Sequence, residues 1–394
     1  MCAPESRHAG PWVAAWAWTT IASALLVGAQ TLPSTPGDPL PGITPIELTQ
    51  FSGGFDLFAD DFVVKDGLGP AFNGTNCAVC HDVPAIGGTG LVLETRAAYR
   101  DASGAFRALN PAGDTLIHLF SVPPFACQPV IPADANIVAH RASISLFGAG
   151  LVEAIPDETL RGLEDPFDRN GDGVRGRAAI VVDLASGEPR VGRFGWKAQH
   201  ATLVAFVADA FRNEMGIPSG LLPQEYAFGV SDEQMRRCNP TRGVIQRENG
   251  IDFVAAFLRF LAPVARGPID GEVGDGERIF RAIGCAACHV PTLATGPSAN
   301  PLFNRQSVPL FSDLLLHDIG TGDGIPQAAA TAEEIRTPAL WGLRLRRPFL
   351  HDGSAATTED AIVRHQQEAE LARRGFLQLS PDDRGRLLAF LRSL

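Results

Sequence analysis

A mainly α-helical chain of two similar units, the first enlarged by an irregular, partly stranded insertion, is predicted from three observations. The string Cys77-Ala-Val-Cys80-His81 returns as Cys285-Ala-Ala-Cys288-His289. The segment Ala256-Phe-Leu-Arg-Phe-Leu261 returns as Ala389-Phe-Leu-Arg-Ser-Leu394, and an amphipathic run precedes each cysteine string. In those runs Phe55, Phe58 and Phe62 share one face, as do Ile279, Phe280 and Ile283. The last helix has the clearest start: Ser380 as N-cap, Pro381 at the first helical position and Asp383 in the first turn, then a stripe of Leu387, Leu388, Leu391 and Leu394. The stretch from His81 to Ala256 exceeds its counterpart from His289 to Ala389 by about 75 residues, so the first unit holds an insertion. It is placed at about 86–193, where Gly and Pro are frequent and runs such as Leu91-Val-Leu-Glu-Thr95 alternate. The units are bounded at 46–265 and 266–394, with the Pro/Gly-rich passage Pro263 to Gly276 between them.

Length and composition agree with such a body. At 394 residues, 45% apolar and 20% charged, the chain can bury a sizeable core. A net charge of -11 lacks the footprint for a phosphate backbone, which excludes nucleic acid as a partner class. After Arg7 and His8 the stretch Trp12 to Ala29 is apolar, and Val27-Gly28-Ala29 offers small residues for cleavage. Residues 1–29 therefore read as an export signal to the periplasm or another oxidising compartment, and 30–45 as a Pro/Gly-rich linker. The apolar run is near the lower limit of a bilayer span, so a membrane enters only if it stays uncleaved.

Seven cysteines include four in the two C-x-x-C-H strings. That spacing suits covalent c-type haem: two thiols reach the two vinyl groups, and the next imidazole reaches iron. With nine histidines in the whole chain, His after both pairs is a rare coincidence, and a four-cysteine zinc site or a thiol redox pair is the weaker alternative. Two cytochrome c-like haem domains follow, with His81 and His289 as proximal ligands. Methionine, the common sixth ligand of electron-transfer haem, is scarce: beyond Met1 there are Met215 and Met235, both in the first unit. His365 is the second unit's candidate, because Thr357 can cap a helix whose Ala361 and Ile362 lie one turn earlier on the same side; a buried structural histidine is the alternative. Laid over one another without gaps, the units place Phe194, Ala201 and Thr202 on Phe349, Ala356 and Thr357. His365 then falls on Ala210, which cannot bind iron, and Glu214 lies one helical turn further on. An open iron face beside a carboxylate suits peroxide chemistry, in which the base takes a proton and returns it to the leaving oxygen; an exposed helix residue is the plainer reading of Glu214.

At these residues the chain resembles the bacterial dihaem cytochrome c peroxidase superfamily, most closely its di-haem oxidoreductase branch, formerly called thiol oxidoreductase. The matching strings are Gly67-Leu-Gly-Pro-Ala-Phe-Asn73, Gly150-Leu-Val-Glu-Ala-Ile-Pro156, Gly192-Arg-Phe-Gly-Trp-Lys-Ala198, Asp313-Leu-Leu-Leu-His-Asp318, Arg336-Thr-Pro-Ala-Leu-Trp-Gly342 and Phe349-Leu-His-Asp-Gly353. The resemblance implies that His365 is the distal ligand of the carboxy-terminal haem and that Glu214-Met215-Gly216 sits near the other. It also implies that Trp196 carries electrons between the haems, with Trp341 as its rival and a core role as the alternative for both. One departure stands out: the superfamily often has glutamine on the open side of the first haem, where this chain has Phe206. The expected function is reduction of hydrogen peroxide at the His81 haem, with electrons from a small cytochrome c or cupredoxin relayed by the His289/His365 haem. A non-enzymatic electron carrier and an oxidase of an organic or protein substrate are the alternatives.

Secondary candidates remain. Asp168-Arg-Asn170-Gly-Asp172-Gly173 opens like a calcium loop but has Ala179 at the twelfth position, so calcium competes with a solvated acidic turn. Cys127 and Cys238 are either a disulfide or two buried thiols. His200 either hydrogen-bonds near the first haem or is an ordinary histidine.

Overall fold

The computed structural model describes residue 1 and residues 35–109, 114–123, 127–224, 233, 237–238 and 248–394. Most of the expected export signal, the start of the linker and Met235 lie outside the described residues. No helix among the described residues is long and apolar enough to cross a membrane.

Two crossed helix pairs carry the repeat. Helix α1 (Pro45–Ala59) starts on a capping box between Thr44 and Glu47, with Pro at its beginning, and packs against the helix Glu248–Phe260. The helix Gly271–Ala282, capped by Asp270, packs in the same way against Pro381–Ser393, whose N-cap is Ser380 as the sequence predicts. Each crossing turns on a glycine. A Cβ on Gly54 would lie 2.0 Å from the Phe253 carbonyl oxygen, and one on Gly276 2.1 Å from that of Arg386, so only glycine lets the backbones meet. Beside each glycine stands a phenylalanine from the echoed segments. Phe257 packs on Phe51, Phe55 and Phe58, and Phe390 on Phe280 and Phe311, with ring centroids 5.1 to 5.7 Å apart.

The strands are short and antiparallel. The longest ladder joins Leu93–Arg100 to Ile137–Ala142 through six residue pairs, with Phe106–Arg107 and Leu116–Ile117 also pairing with the first strand. Ala71–Phe72 pairs with Phe120–Ser121, and Ala179–Val182 with Pro189–Gly192. Beyond the insertion, Leu293–Ala294 pairs with Ser307–Val308 and Leu316–His317 with Ile335–Arg336. Between these ladders run the short helices Ala149–Glu153 and Asp157–Arg161, and later Leu203–Met215, Thr358–Val363 and Glu370–Gln378.

The expected mainly α class is therefore corrected: the chain is 31% helix and 15% strand, in several small sheets, and its class is mixed. The physical reason lies in the connections. Long Gly- and Pro-rich segments that pass through the interior must pair their backbone groups, and they do so in ladders of two to six residues. The part of the linker that is described also differs from a free spacer. Leu40 is 3% exposed and its N–H donates to the Phe260 carbonyl at 2.8 Å, while Ala262 N–H donates to Asp38 at 3.1 Å.

Candidate active site

The second cysteine string forms a 3₁₀ turn, Cys285–Ala287, directly after the helix Gly271–Ala282. His289 Nδ1 donates to the Phe311 carbonyl at 3.0 Å, and Phe280 stands 6.2 Å from its ring. His365 Nδ1 makes the corresponding bond to the Ala361 carbonyl at 2.7 Å. The helix capped by Thr357 ends at Val363, so His365 sits just past its end, with its N–H on the Ile362 carbonyl. A carbonyl on Nδ1 fixes the tautomer and leaves the Nε2 lone pair for a metal. Both imidazoles line one cavity of about 460 Å³, together with Cys285, Cys288, Trp196 and Arg346. Desolvation, followed by the charge of His365, pushes His289 down to about 4, and desolvation lowers His365 also, so each is the neutral form that binds metal.

The cavity fits an apolar macrocycle with acidic side groups. Arg346 faces into it with no carboxylate partner among the described residues: its guanidinium lies 5.2 Å over the Trp196 ring and donates to the Leu350 carbonyl at 3.0 Å. Desolvation alone pushes Arg346 down to about 10. Arg336, 4% exposed, is likewise held by carbonyls, those of Gly195 and Thr337. His351 Nδ1 and Thr321 Oγ1 are buried in the same wall without a hydrogen-bond partner. Cations and donors left over in an otherwise apolar chamber are what an anionic cofactor would satisfy.

A carboxylate clamp forms part of this chamber's wall, which His317 and Glu368 line. His317 Nε2 donates to Asp313 at 2.8 Å and Nδ1 to Glu368 at 2.9 Å, and against desolvation Asp313 and then Cys288, whose Sγ is 3.6 Å from Nδ1, hold it well above the ordinary histidine range. Glu368 also accepts from the N–H groups of Arg175 and Asp318. Cys288, Asp313 and His317 place ligand atoms within 4.8 Å of one another, but with both imidazole nitrogens donating to carboxylates no lone pair is left for a metal.

The first string repeats the proximal geometry. His81 Nδ1 donates to the Gly88 carbonyl at 2.9 Å, and Phe58 lies 6.2 Å from its ring. Desolvation lowers His81 and pushes Cys77, Cys80 and Cys285 up to about 12. The distal surroundings differ. The helix Leu203–Met215, capped by Thr202, carries Phe206, Ala210 and Glu214 at successive turns of one face. Phe206 stacks on Phe194 with centroids 5.8 Å apart, and Ala210 offers no ligand atom. Glu214 Oε2 accepts from Asn73 Nδ2 at 2.6 Å, while Asn73 Oδ1 accepts from Leu119 N–H. Desolvation, with Glu94 nearby as the next cause, pushes the Glu214 carboxyl up to about 8. Nearby, Arg96 pairs with Glu94, and His200 Nε2 lies 3.0 Å from the Asp209 carboxylate. Met215 is 2% exposed and packed in the core.

Trp196 lies in the wall of the second chamber, its Nε1 donating to the Ala142 carbonyl at 2.7 Å and its ring 6.1 Å from that of His351. Trp341 lines a separate pocket of about 60 Å³ with Phe194 and Phe206. In the acidic loop, Asp168, Asn170 and Asp172 accept from the N–H groups of Gly173, Asp172 and Val174, and Ala179 begins a strand. Cys127 and Cys238 are joined as a disulfide, Cα atoms 5.7 Å apart. Sequence reading missed Glu94, Arg96, Asn73, Arg346 and the partners of His317. Several of these stand inside strings it quoted, but with nothing local to mark what they would meet.

The two strings have their imidazoles held alike, His289 shares a cavity with His365, and the first string has the Glu214 carboxyl near its cysteines. A family model described as "Di-haem oxidoreductase, putative peroxidase" matches residues 130–394. The chain belongs to this family and is an oxidoreductase whose family implies haem cofactors. Among solved structures it is similar to a MauG-like protein associated with microbial copper homeostasis, at 17% identity over 96% of this chain and 95% of that one, with a TM-score of 0.43. Others are the hydrazine synthase of Kuenenia stuttgartiensis, at 14% identity, 96% and 100% coverage and a TM-score of 0.40, and the diheme peroxidase BthA of Burkholderia thailandensis, at 16%, 92% and 87%, and 0.41. Among curated proteins none matches.

Proposed function

We propose that this protein reduces hydrogen peroxide at the first centre with electrons relayed by the second. Cys77, Cys80 and His81 would hold one covalent haem, and Cys285, Cys288, His289 and His365 the other, with Arg346 and Arg336 toward the acidic side groups of the second. When bound, the haems supply a site for peroxide and the transfer of electrons. The reading is carried by the contrast between His365 in one unit and Ala210 with Glu214 in the other.

The chain's own part is proton handling. Near neutral pH Glu214 carries a proton, because desolvation and Glu94 disfavour its charge. Asn73 orients the group by binding Oε2, leaving Oε1 for the substrate. Its first act is then donation to the departing oxygen as the O–O bond breaks, and bulk water restores the proton. Two electrons and two protons turn each peroxide into two waters, and the electrons come from a small cytochrome c or cupredoxin. Trp196, between the second chamber and Ala142, would carry them across. Export is part of the proposal, and a disulfide between Cys127 and Cys238 suits an oxidising compartment.

The test is carbon monoxide binding to the reduced, haem-loaded protein, followed by peroxide turnover with a reduced donor. One accessible haem and turnover are expected. None accessible would leave only an electron carrier, and one accessible haem without peroxide turnover would point to oxidation of an organic or protein substrate.

A further inference from the structure

We propose that Lys197 is the positioning residue of Trp196: its buried ammonium fills a seat of oxygen atoms, and that seat fixes the turn from which the indole enters the second chamber. The proposal rests on Trp196 being the electron carrier described above.

The turn Gly195-Trp-Lys-Ala198 does not hold itself. Gly195 and Ala198 have φ of 79° and 49°, and Ala198 is thus an L-residue in the region that favours glycine. Its neighbours pin it from two sides. On one, Arg336 N–H donates to the Trp196 carbonyl at 2.7 Å and Arg336 Nε to that of Gly195 at 2.8 Å. On the other, the Lys197 side chain is 0% exposed, and its Nζ donates to the carbonyls of Thr331, Ala332 and Glu334 at 2.9, 3.2 and 2.7 Å. Asp323 Oδ1 is a fourth oxygen, 3.1 Å away. Four acceptors surround three N–H bonds, so the ammonium is coordinated as a free cation would be. The distances exceed the about 2.3–2.6 Å that calcium takes, and they suit an ammonium.

The oxygens of the seat are held by groups other than Lys197. Asp323 Oδ2 accepts from Arg141 Nε at 2.8 Å and pairs with Nη2 at 2.6 Å, and Oδ1 accepts from Ile325 N–H. The Glu334 carboxylate binds Thr331 N–H at 2.8 Å and Arg177 Nε at 2.6 Å, while the Ala332 carbonyl accepts from Gly324 N–H at 3.2 Å. A ready-made ring of buried oxygens without its cation would be left unpaired, which is what couples the turn to it. The indole has as little play: Nε1 is on the Ala142 carbonyl, and the ring lies between the Arg346 guanidinium at 5.2 Å and the His351 ring at 6.1 Å. A turn that slips on its seat therefore moves the ring off these partners.

The experiment follows the hydrogen-bond-sensitive indole band of Trp196 by ultraviolet resonance Raman spectroscopy on the haem-loaded protein, assigned by its loss in Trp196→Phe. In Lys197→Ala the band should shift toward a weaker bond. Added n-propylammonium, the part of lysine beyond Cβ, should return it, whereas tetramethylammonium, which has no N–H to donate, should not. In Lys197→Met, which fills the passage and leaves Arg141 and Asp323 as a neutral pair, the band should shift and the amine should not return it. Electron exchange between the haems, followed after photolysis of carbon monoxide from the half-reduced protein, should slow about tenfold in Lys197→Ala and recover with the same amine. A band unmoved in Lys197→Ala, or moved and not returned by n-propylammonium, overturns the proposal; should that variant fail to fold, an unmoved band in Lys197→Met overturns it. A band that moves and returns while exchange between the haems is unchanged leaves the seat standing and removes only Trp196 as carrier.

Discussion

The two cysteine strings sit on nearly the same frame, and they part company after the cap of one helix. Both are reached by a helix crossing its partner at glycine, both imidazoles are tied to a carbonyl through Nδ1, and both have a phenylalanine ring 6.2 Å away. Even the approach to the distal helix repeats, with a bridge between Phe194 and His200 in one unit and between Phe349 and Ala355 in the other, then Thr202 and Thr357 as N-caps. After the cap the first helix runs on to Met215, while the second ends at Val363. The longer helix keeps its face regular, and it presents Ala210 and then Glu214. The shorter one turns His365 into a chamber that already holds His289. A duplicated framework thus became two different environments through helix length and a few side chains.

The contrast can be broken at several points. Glu214→Gln should lower peroxide turnover about 10²- to 10⁴-fold while leaving haem content unchanged, and an undiminished rate would take the carboxyl out of the chemistry. On the proposed mechanism the acid form acts, so wild-type kcat/KM should fall as pH rises through about 8, a limb absent from the variant. Next, His317→Leu should cost about 3–5 kcal/mol in urea unfolding, because Asp313 and Glu368 lose their shared cation. His317 is charged well above its ordinary range in the folded protein, so its contribution is complete below about pH 6.5 and fades as pH rises through the folded value. The difference between wild type and variant should therefore narrow only in alkali. His365→Ala should convert the second haem from low to high spin and raise the number of carbon monoxide sites from one to two; an unchanged spectrum would remove His365 from the iron. The smallest effect compares the caps. Thr202→Ala should cost about 1–2 kcal/mol and Thr357→Ala about half that, since Thr202 also donates to Asp183 at 2.6 Å.

What the sequence made legible is local. The caps at Ser380 and Thr357, the helices ahead of Cys77 and Cys285, and the gapless offset between the units all depend on residues a few positions apart. The class was misjudged because a ladder of two residues, such as Leu316–His317 with Ile335–Arg336, is too short to show any alternation. Asn73 meets Glu214 across 141 positions, and His317 meets Glu368 across 51. Nothing in the composition of those segments marks the meeting, which tertiary folding alone creates. Glu214 was reached through the offset, but Asn73, which binds its carboxyl, comes from a segment the offset does not contain.

The glycine crossings have a consequence for where altered behaviour should arise. Phe58 and Phe280 project from the same helices that carry Gly54 and Gly276, and each leans on the imidazole of its own string. A single methyl at either glycine would wedge the helices apart and pass the shift along the phenylalanine to the imidazole of that string. Random mutagenesis should accordingly yield spectral variants at a seam remote from any reacting atom, because the placement of each centre is decided where two backbones touch.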